Sequence, residues 1–286
     1  MVVMKTTKKV TKKEEKINQI AQMLEEGVAN TYTSDNYKKM LETYSKFYNY
    51  SYANCILIGM QCPTASYVAG FHKWNDEFHR TIKKGSKAIQ ILAPCYKNQI
   101  EKDEDGNDTI TKKLAYFKTV NVFDISQTEG EDLPTVCKRL QGNEVNDKLL
   151  QKIKSISPVP IEYEHIDNDT LGGYFSVSEK KIVINTNGTS KLHQVKTLLH
   201  EITHSILHNE EDGEQKDATR NDMEIQAESV AYVVSNYLGI DTSDYSFGYV
   251  VSWSGNKNKE QLKNNLEVIK KTSKQIIDSL EKIKIA

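Results

Sequence analysis

The chain has 286 residues, 38% of them hydrophobic and 27% charged, and a formal net charge of −1 at pH 7. That length allows one large domain or two of ordinary size, and the balanced charge excludes a chain that is basic throughout. No apolar run reaches about 18 residues, so no membrane-spanning helix is expected.

The average hides a gradient. Residues 1–125 carry 19 Lys/Arg against 14 Asp/Glu, whereas residues 126–286 carry 19 against 25. Different partners are therefore expected for the two halves. Cys55, Cys62, Cys95 and Cys137 form no C-x-x-C pair and read as reduced thiols. The start, MVVMKTTKKVTKKEEK, has no apolar centre of a signal peptide. A soluble, cytoplasmic monomer is expected.

From Ile17 to about Gln61 the apolar spacing is mainly helical. Ser34-Asp35 offers a helix N-cap, and SYANCILIGMQ reads as a further helix stopped by Pro63. A turn at Lys84-Gly85 leads into a strand, Ala88–Ala93. EKDEDGNDT reads as a polar hairpin tip, LAYFKTVNVFDI as a strand and SQTEGEDLP as a loop. EVNDKLLQKIKSI predicts a short helix and VPIEYEHI a strand. GGYFSVSEKKIVIN predicts a hairpin whose return strand is Lys181–Asn185. Helices follow at about Ser190–His208 and Asp222–Leu238. Leu262, Leu266, Ile269, Ile276, Leu280 and Ile283 then mark a long amphipathic helix, expected to pack on its own domain. The fold class expected is α+β with two domains: residues 1–130, a linker over 131–158, and residues 159–286.

His200-Glu201-Ile202-Thr203-His204 fits the pattern H-E-x-x-H. On a helix, Val195, Leu198, Leu199, Ile202 and Ile206 fall on one side and His200 and His204 on the other. Imidazoles at i and i+4 can share one ion, with Glu201 placed to act on a water. A hydrolytic zinc site commonly has three protein ligands and an open position. The following helix presents Glu224, Ala227, Glu228, Ala231 and Ser235 on one face, and small residues there permit close helix approach. Glu224 is favoured as third ligand, with Glu228 orienting a histidine or serving as the alternative. His208 reads as packing or outer support. The donor set suits Zn2+, with Mn2+ or Co2+ also accommodated. Strand Lys181–Asn185 is expected as an edge that aligns an extended peptide. Tyr174 reads as an oxyanion donor or as an ordinary tyrosine.

In the first half, residues 32–78 hold 11 of the chain's 24 aromatics, with lysines among and after them. Tyr50, Tyr52, Phe71, Lys73, Trp74, Arg80, Lys83, Lys84 and Lys87 are candidates for contacts to single-stranded DNA. Rings stack on unpaired bases and cations meet phosphate.

The stretch NYSYANCILIGMQCPTASYVAGFHKWNDEFHRTIKKGSKAIQILAP, with FKTVNVFDISQT, resembles the amino-terminal domain of ArdC-type antirestriction proteins. HEITHSILH with EIQAESVAYVV is similar to ImmA/IrrE metallopeptidases. The blocks span about residues 30–250 in the order seen in ArdC-like and LtrC-like proteins of conjugative elements. The resemblance implies a single-stranded-DNA-binding module followed by a gluzincin-type metallopeptidase domain. It carries His200 and His204 over as ligands, Glu201 as catalytic acid/base and Glu224 as the first Glu of E-x-E-A-n-x-F-A. Gln226, Glu228 and Val230 depart from that pattern, and Lys84-Gly85-Ser86-Lys87-Ala88 departs from K-G-E-K-G. The implied role is protection of incoming DNA from restriction, with a host or element-encoded protein as substrate. Two other readings stay open: a DNA-coating protein with a structural metal, and a regulatory protease that cleaves a repressor.

Overall fold

A computed structural model describes residues 12–31, 33–102, 108–133, 147–168, 170–209, 218–243, 245, 247 and 259–283. Contacts divide the chain into two compact units, Met1–Gly27 with Ile56–Leu133, and Val28–Cys55 with Pro134–Ala286. Residues 28–55, expected in the first domain, thus belong to the second unit.

The first unit is built on a long hairpin. Strand β3 (Ile89–Lys102) pairs antiparallel with β4 (Asp108–Asp124), and β1 (Val68–Ala69) adds to the end of β4. The expected strand at Ala88–Ala93 therefore continues through a polar segment. Lys, Asn and Gln on both faces hide its alternation from the sequence. A bulge lies between Cys95 and Tyr96. A second pair joins β2 (Arg80–Ile82) to β5 (Thr128–Gly130), inside a stretch expected to be loop. Trp74 anchors the core with its ring against Tyr67 and Phe78, and its indole N–H donates to Phe123 O at 2.9 Å. Helices α1 (Lys12–Asn30) and α3 (Tyr52–Gln61) meet at Gly27, where a Cβ would lie 2.3 Å from Ile56 Cγ2.

In the second unit, α2 (Ser34–Lys46) is capped by Thr33, one residue before the expected position, because extended Thr33 accepts from Asn36 N–H. Helix α4 (Asp147–Lys154) precedes a sheet of order β6-β8-β7. Strand β8 (Lys181–Asn185) runs parallel to β6 (Ile161–Glu164) and antiparallel to β7 (Gly173–Ser176). Ile182, Val183 and Ile184 are fully buried, as suits a central strand. The expectation that Lys181–Asn185 is an edge is corrected: it is paired on both sides, and β6 and β7 are the edges of the described sheet. At its end, Asn185 Nδ2 donates to Asn168 O and Leu171 O while its Oδ1 accepts from Ile166 and Asn187 N–H. This amide ties down the segment that leads into β7.

Three helices complete the unit: α5 (Lys191–Leu207), α6 (Arg220–Tyr237) and α7 (Lys259–Lys282). Ser190 caps α5, and Thr219 with Asp222 forms a reciprocal capping box on α6. Helix α5 packs on β7 and β8, α6 packs on α5, and both α7 and α2 pack on α6. Tyr37 OH meets Ser229 Oγ at 2.8 Å, and Ser45 Oγ donates to Asn236 Oδ1 at 2.6 Å. These contacts of α2 explain why residues 28–55 go with the second unit. Leu262, Leu266, Ile269, Ile276 and Leu280 are buried, as the amphipathic pattern of α7 requires. Cys55, Cys62 and Cys95 are free thiols, and Cys137 lies outside the described residues. Among the described residues no helix is long and apolar enough to cross a membrane.

Candidate metal centre

Helix α5 buries Val195, Leu198, Leu199 and Ile202 on the sheet side. Its other face carries His200 and His204, whose Nε2 atoms lie 3.0 Å apart. Glu224 Oε2, from α6, stands 3.4 Å from His200 Nε2 and 3.7 Å from His204 Nε2. Fully buried Ala227 and Ala231 allow α6 to approach this closely. The three donor atoms lie within 4.8 Å of one another, which suits a single cation. The outer nitrogens are engaged elsewhere: His200 Nδ1 meets Glu228 Oε2 at 3.2 Å, and His204 Nδ1 meets His208 Nδ1 at 2.8 Å. Both rings are thereby turned with Nε2 towards the common point, and the donor set fits a divalent metal.

The carboxylates favour positive charge at this point. Burial opposes charging His200, but the Glu224 and Glu228 carboxylates outweigh it and raise its pKa to about 10. His200 and His204 hold the Glu224 carboxyl well below the usual carboxylate range. Burial raises the pKa of Glu201, while the neighbouring imidazoles and the Phe175 N–H pull against it. Burial pushes His208 down to about 4, so this imidazole is neutral at pH 7.

The site opens into a cleft of about 840 Å³ walled by β7 and by α5 and α6. The sequence Gly172-Gly173 explains how β7 gets there. A Cβ on Gly172 would lie 2.6 Å from Thr197 Oγ1, and one on Gly173 would lie 2.5 Å from Val183 O. The first glycine lets the start of the strand lie close to side chains of α5, and the second lets it lie close to the backbone of β8. Tyr174 and Phe175 line the cleft, as do Lys196 and Arg220.

The proposed DNA contacts fare unevenly. Phe71 is 55% exposed, and Lys73, Lys83, Lys84 and Lys87 are exposed. Trp74 is fully buried, so its expected role as a stacking surface is corrected: its ring is core. Arg80 is also buried, its guanidinium spent on Thr128 Oγ1, Thr128 O, Gly130 O and Glu131 O, which holds β2 against β5. Tyr50 and Tyr52 are half-buried and belong to the second unit. Sequence reasoning missed the outer part of the β3–β4 hairpin, where Tyr96, Tyr116 and Phe117 are exposed beside Lys97, Lys112, Lys113 and Lys118. Interleaved Lys and Tyr/Phe in that stretch was the available signal.

Residues 10–123 match the family described as the N-terminal domain of anti-restriction factor ArdC. Residues 158–245 match the IrrE N-terminal-like domain of the M78 peptidases. The chain is ArdC-like in joining, in this order, an ArdC-type N-terminal domain and an IrrE-like domain. This ArdC-like chain is 27% identical to an uncharacterized protein of Bacillus anthracis, over 83% of its own length and 46% of the relative's. It therefore spans about half the length of that curated relative. The metal-free crystal structure of antirestriction protein ArdC from plasmid R388 aligns with a TM-score of 0.53 at 17% identity, covering 82% of this chain and 86% of the other. That likeness is one of fold. The Mn(II)-bound structure of ArdC from R388 aligns with a TM-score of 0.48 at 19% identity, covering 80% and 83%.

Proposed function

We propose that this ArdC-like chain protects incoming DNA from restriction by binding single strands through its first unit and hydrolysing a protein through its second. The observation that carries the hydrolytic reading is the convergence of His200, His204 and Glu224 beside buried Glu201 in an open cleft. When bound there, Zn2+, or Mn2+ or Co2+ in its place, supplies polarisation of a carbonyl and a more acidic water.

The chain's own residues do the rest. Glu201 takes a proton on its carboxylate and returns it to the leaving amine. Its raised pKa and the fixing hydrogen bond from Phe175 N–H suit that exchange. An extended peptide pairs with the β7 edge and lies across the cleft, where Tyr174 reaches it. DNA is bound by the exposed side chains of Tyr96, Tyr116, Phe117 and Phe71, which stack on bases, with the lysines of the hairpin and Lys83, Lys84 and Lys87 meeting phosphate.

The test is plasmid transfer into a restricting host expressing the chain. Glu201→Gln is expected to lose protection while keeping metal and DNA binding. Full protection by Glu201→Gln would refute the hydrolytic reading and favour DNA coating with a structural metal.

A further inference from the structure

Two imidazoles reach the metal point, and each must present a bare Nε2 lone pair to an ion. A neutral imidazole has one N–H, so each ring must then carry its proton on Nδ1. For His200 the partner of that proton is the Glu228 carboxylate. For His204 it is the Nδ1 of another imidazole, His208, at 2.8 Å. That fixes every later step. His208 Nδ1 must accept, so its proton is on Nε2, which donates to Gln226 Oε1 at 2.9 Å. The other end of the Gln226 amide, Nε2, donates to Asn265 Oδ1. Asn265 Nδ2 donates in turn to Asp222 Oδ1 at 3.2 Å. Asp222 Oδ2 accepts from Thr219 N–H, Thr219 Oγ1 and Gln261 Nε2, at 3.0, 2.6 and 2.7 Å. The chain of donors runs one way and ends on a carboxylate.

We propose that Gln226 and Asn265 are positioning residues for the metal centre, completing a one-way relay from His204 through His208 to Asp222 that locks His204 with its Nε2 free for the ion. The inference rests on the metal-site reading above. Gln226, Asn265 and Asp222 are 0%, 4% and 1% exposed, so water does not readily replace a lost link. Asn265 lies on α7, beyond the residues 158–245 matched by the peptidase family. The C-terminal helix is thereby part of the metal site. The relay also accounts for Gln226 standing where the class pattern has Glu. A carboxylate there could accept from His208 but could not donate to Asn265. Asn265 would have to turn its amide over, and its oxygen would then face Asp222 Oδ1.

Directionality gives the test. Cobalt(II) affinity and the visible spectrum of the cobalt-loaded full chain are measured for wild type, Asn265→Leu, Gln226→Glu, and Gln226→Glu combined with Asp222→Asn, with melting followed in parallel. Both single changes are expected to weaken cobalt binding by about 10–100-fold and to alter the spectrum. The double change turns round the two links between 226 and 222 and leaves the proton positions of His204 and His208 as they are. An amide at 222 keeps its oxygen on the α6 cap and gives its NH2 to Asn265, whose own NH2 then faces the new carboxylate. Binding and spectrum are expected to recover towards wild type, which a mere packing role would not produce. Unchanged cobalt affinity in both single variants overturns the relay alone. A double variant no better than Gln226→Glu, though folded, also overturns it. Wild-type protein that takes up no cobalt overturns the metal reading and the relay with it.

Discussion

Glu224 and Glu228 sit one turn apart on α6 and do different things. Glu224 turns to the Nε2 side of both histidines, whereas Glu228 holds the Nδ1 side of His200. Glu224→Ala removes a proposed ligand and is expected to lower zinc affinity by more than about 100-fold. Glu228→Ala removes an orienting partner and is expected to lower it by about 10–100-fold. Competition titration with a chromogenic chelator distinguishes the two, and a larger loss on Glu228→Ala would exchange their roles. His200, Glu201 and His204 were legible from the sequence because i and i+4 on a helix force two side chains to one face. Glu228 as the orienting partner of a histidine was legible as well, whereas the links that run from His208 to Asn265 were not. His208 offers only a third turn of the same spacing, and nothing in the local pattern near Asn265 links it to Gln226, 39 residues away. Trp74 and Arg80 show the opposite failure. An aromatic next to cations reads the same whether its ring faces solvent or core, and only the fold shows the Phe123 and Thr128 contacts that bury them.

At the scale of elements, α7 reaches across to α2 as well as to α6. Lys270 Nζ, 4% exposed as a residue, donates to Tyr44 O and Phe47 O at 3.2 and 2.9 Å, satisfying carbonyls at the end of α2. Burial lowers its pKa to about 8. Between that value and the ordinary lysine pKa near 10.4, the unfolded chain keeps a proton that the folded chain has shed, so stability contributed by this site rises with pH. In urea unfolding at a series of pH values, wild type is expected to gain up to about 3 kcal/mol on Lys270→Met between pH 7.5 and 10.5. A difference that does not move with pH would mean that Lys270 keeps its charge in the fold. The helices themselves were legible, since Leu262 to Leu280 repeat at helical spacing. Which unit α2 joins was not, because its buried stripe of Tyr37, Leu41 and Tyr44 fits either neighbour until Ser229 and Asn236 are seen against it. The β7 edge was likewise hidden: GGYF and KIVIN both read as strands, and pairing order is not a local property.

For the whole molecule, the proposed DNA binding is a property of the full chain, because residues 28–55 belong to the second unit. Single-stranded DNA is expected to bind more tightly than duplex, since stacking adds about 1–3 kcal/mol per base only where faces are open. Tyr116→Ala with Phe117→Ala is expected to reduce that preference, and Lys112→Ala with Lys113→Ala to flatten the salt dependence. Equal affinity for both forms would remove the stacking argument. Metal analysis of the full chain decides whether the proposed site holds an ion. Protein purified without chelator and supplied with zinc is expected to hold about one ion per chain, and His204→Ala close to none while remaining folded. Wild-type protein that retains no zinc, or His204→Ala that retains as much, would contradict it.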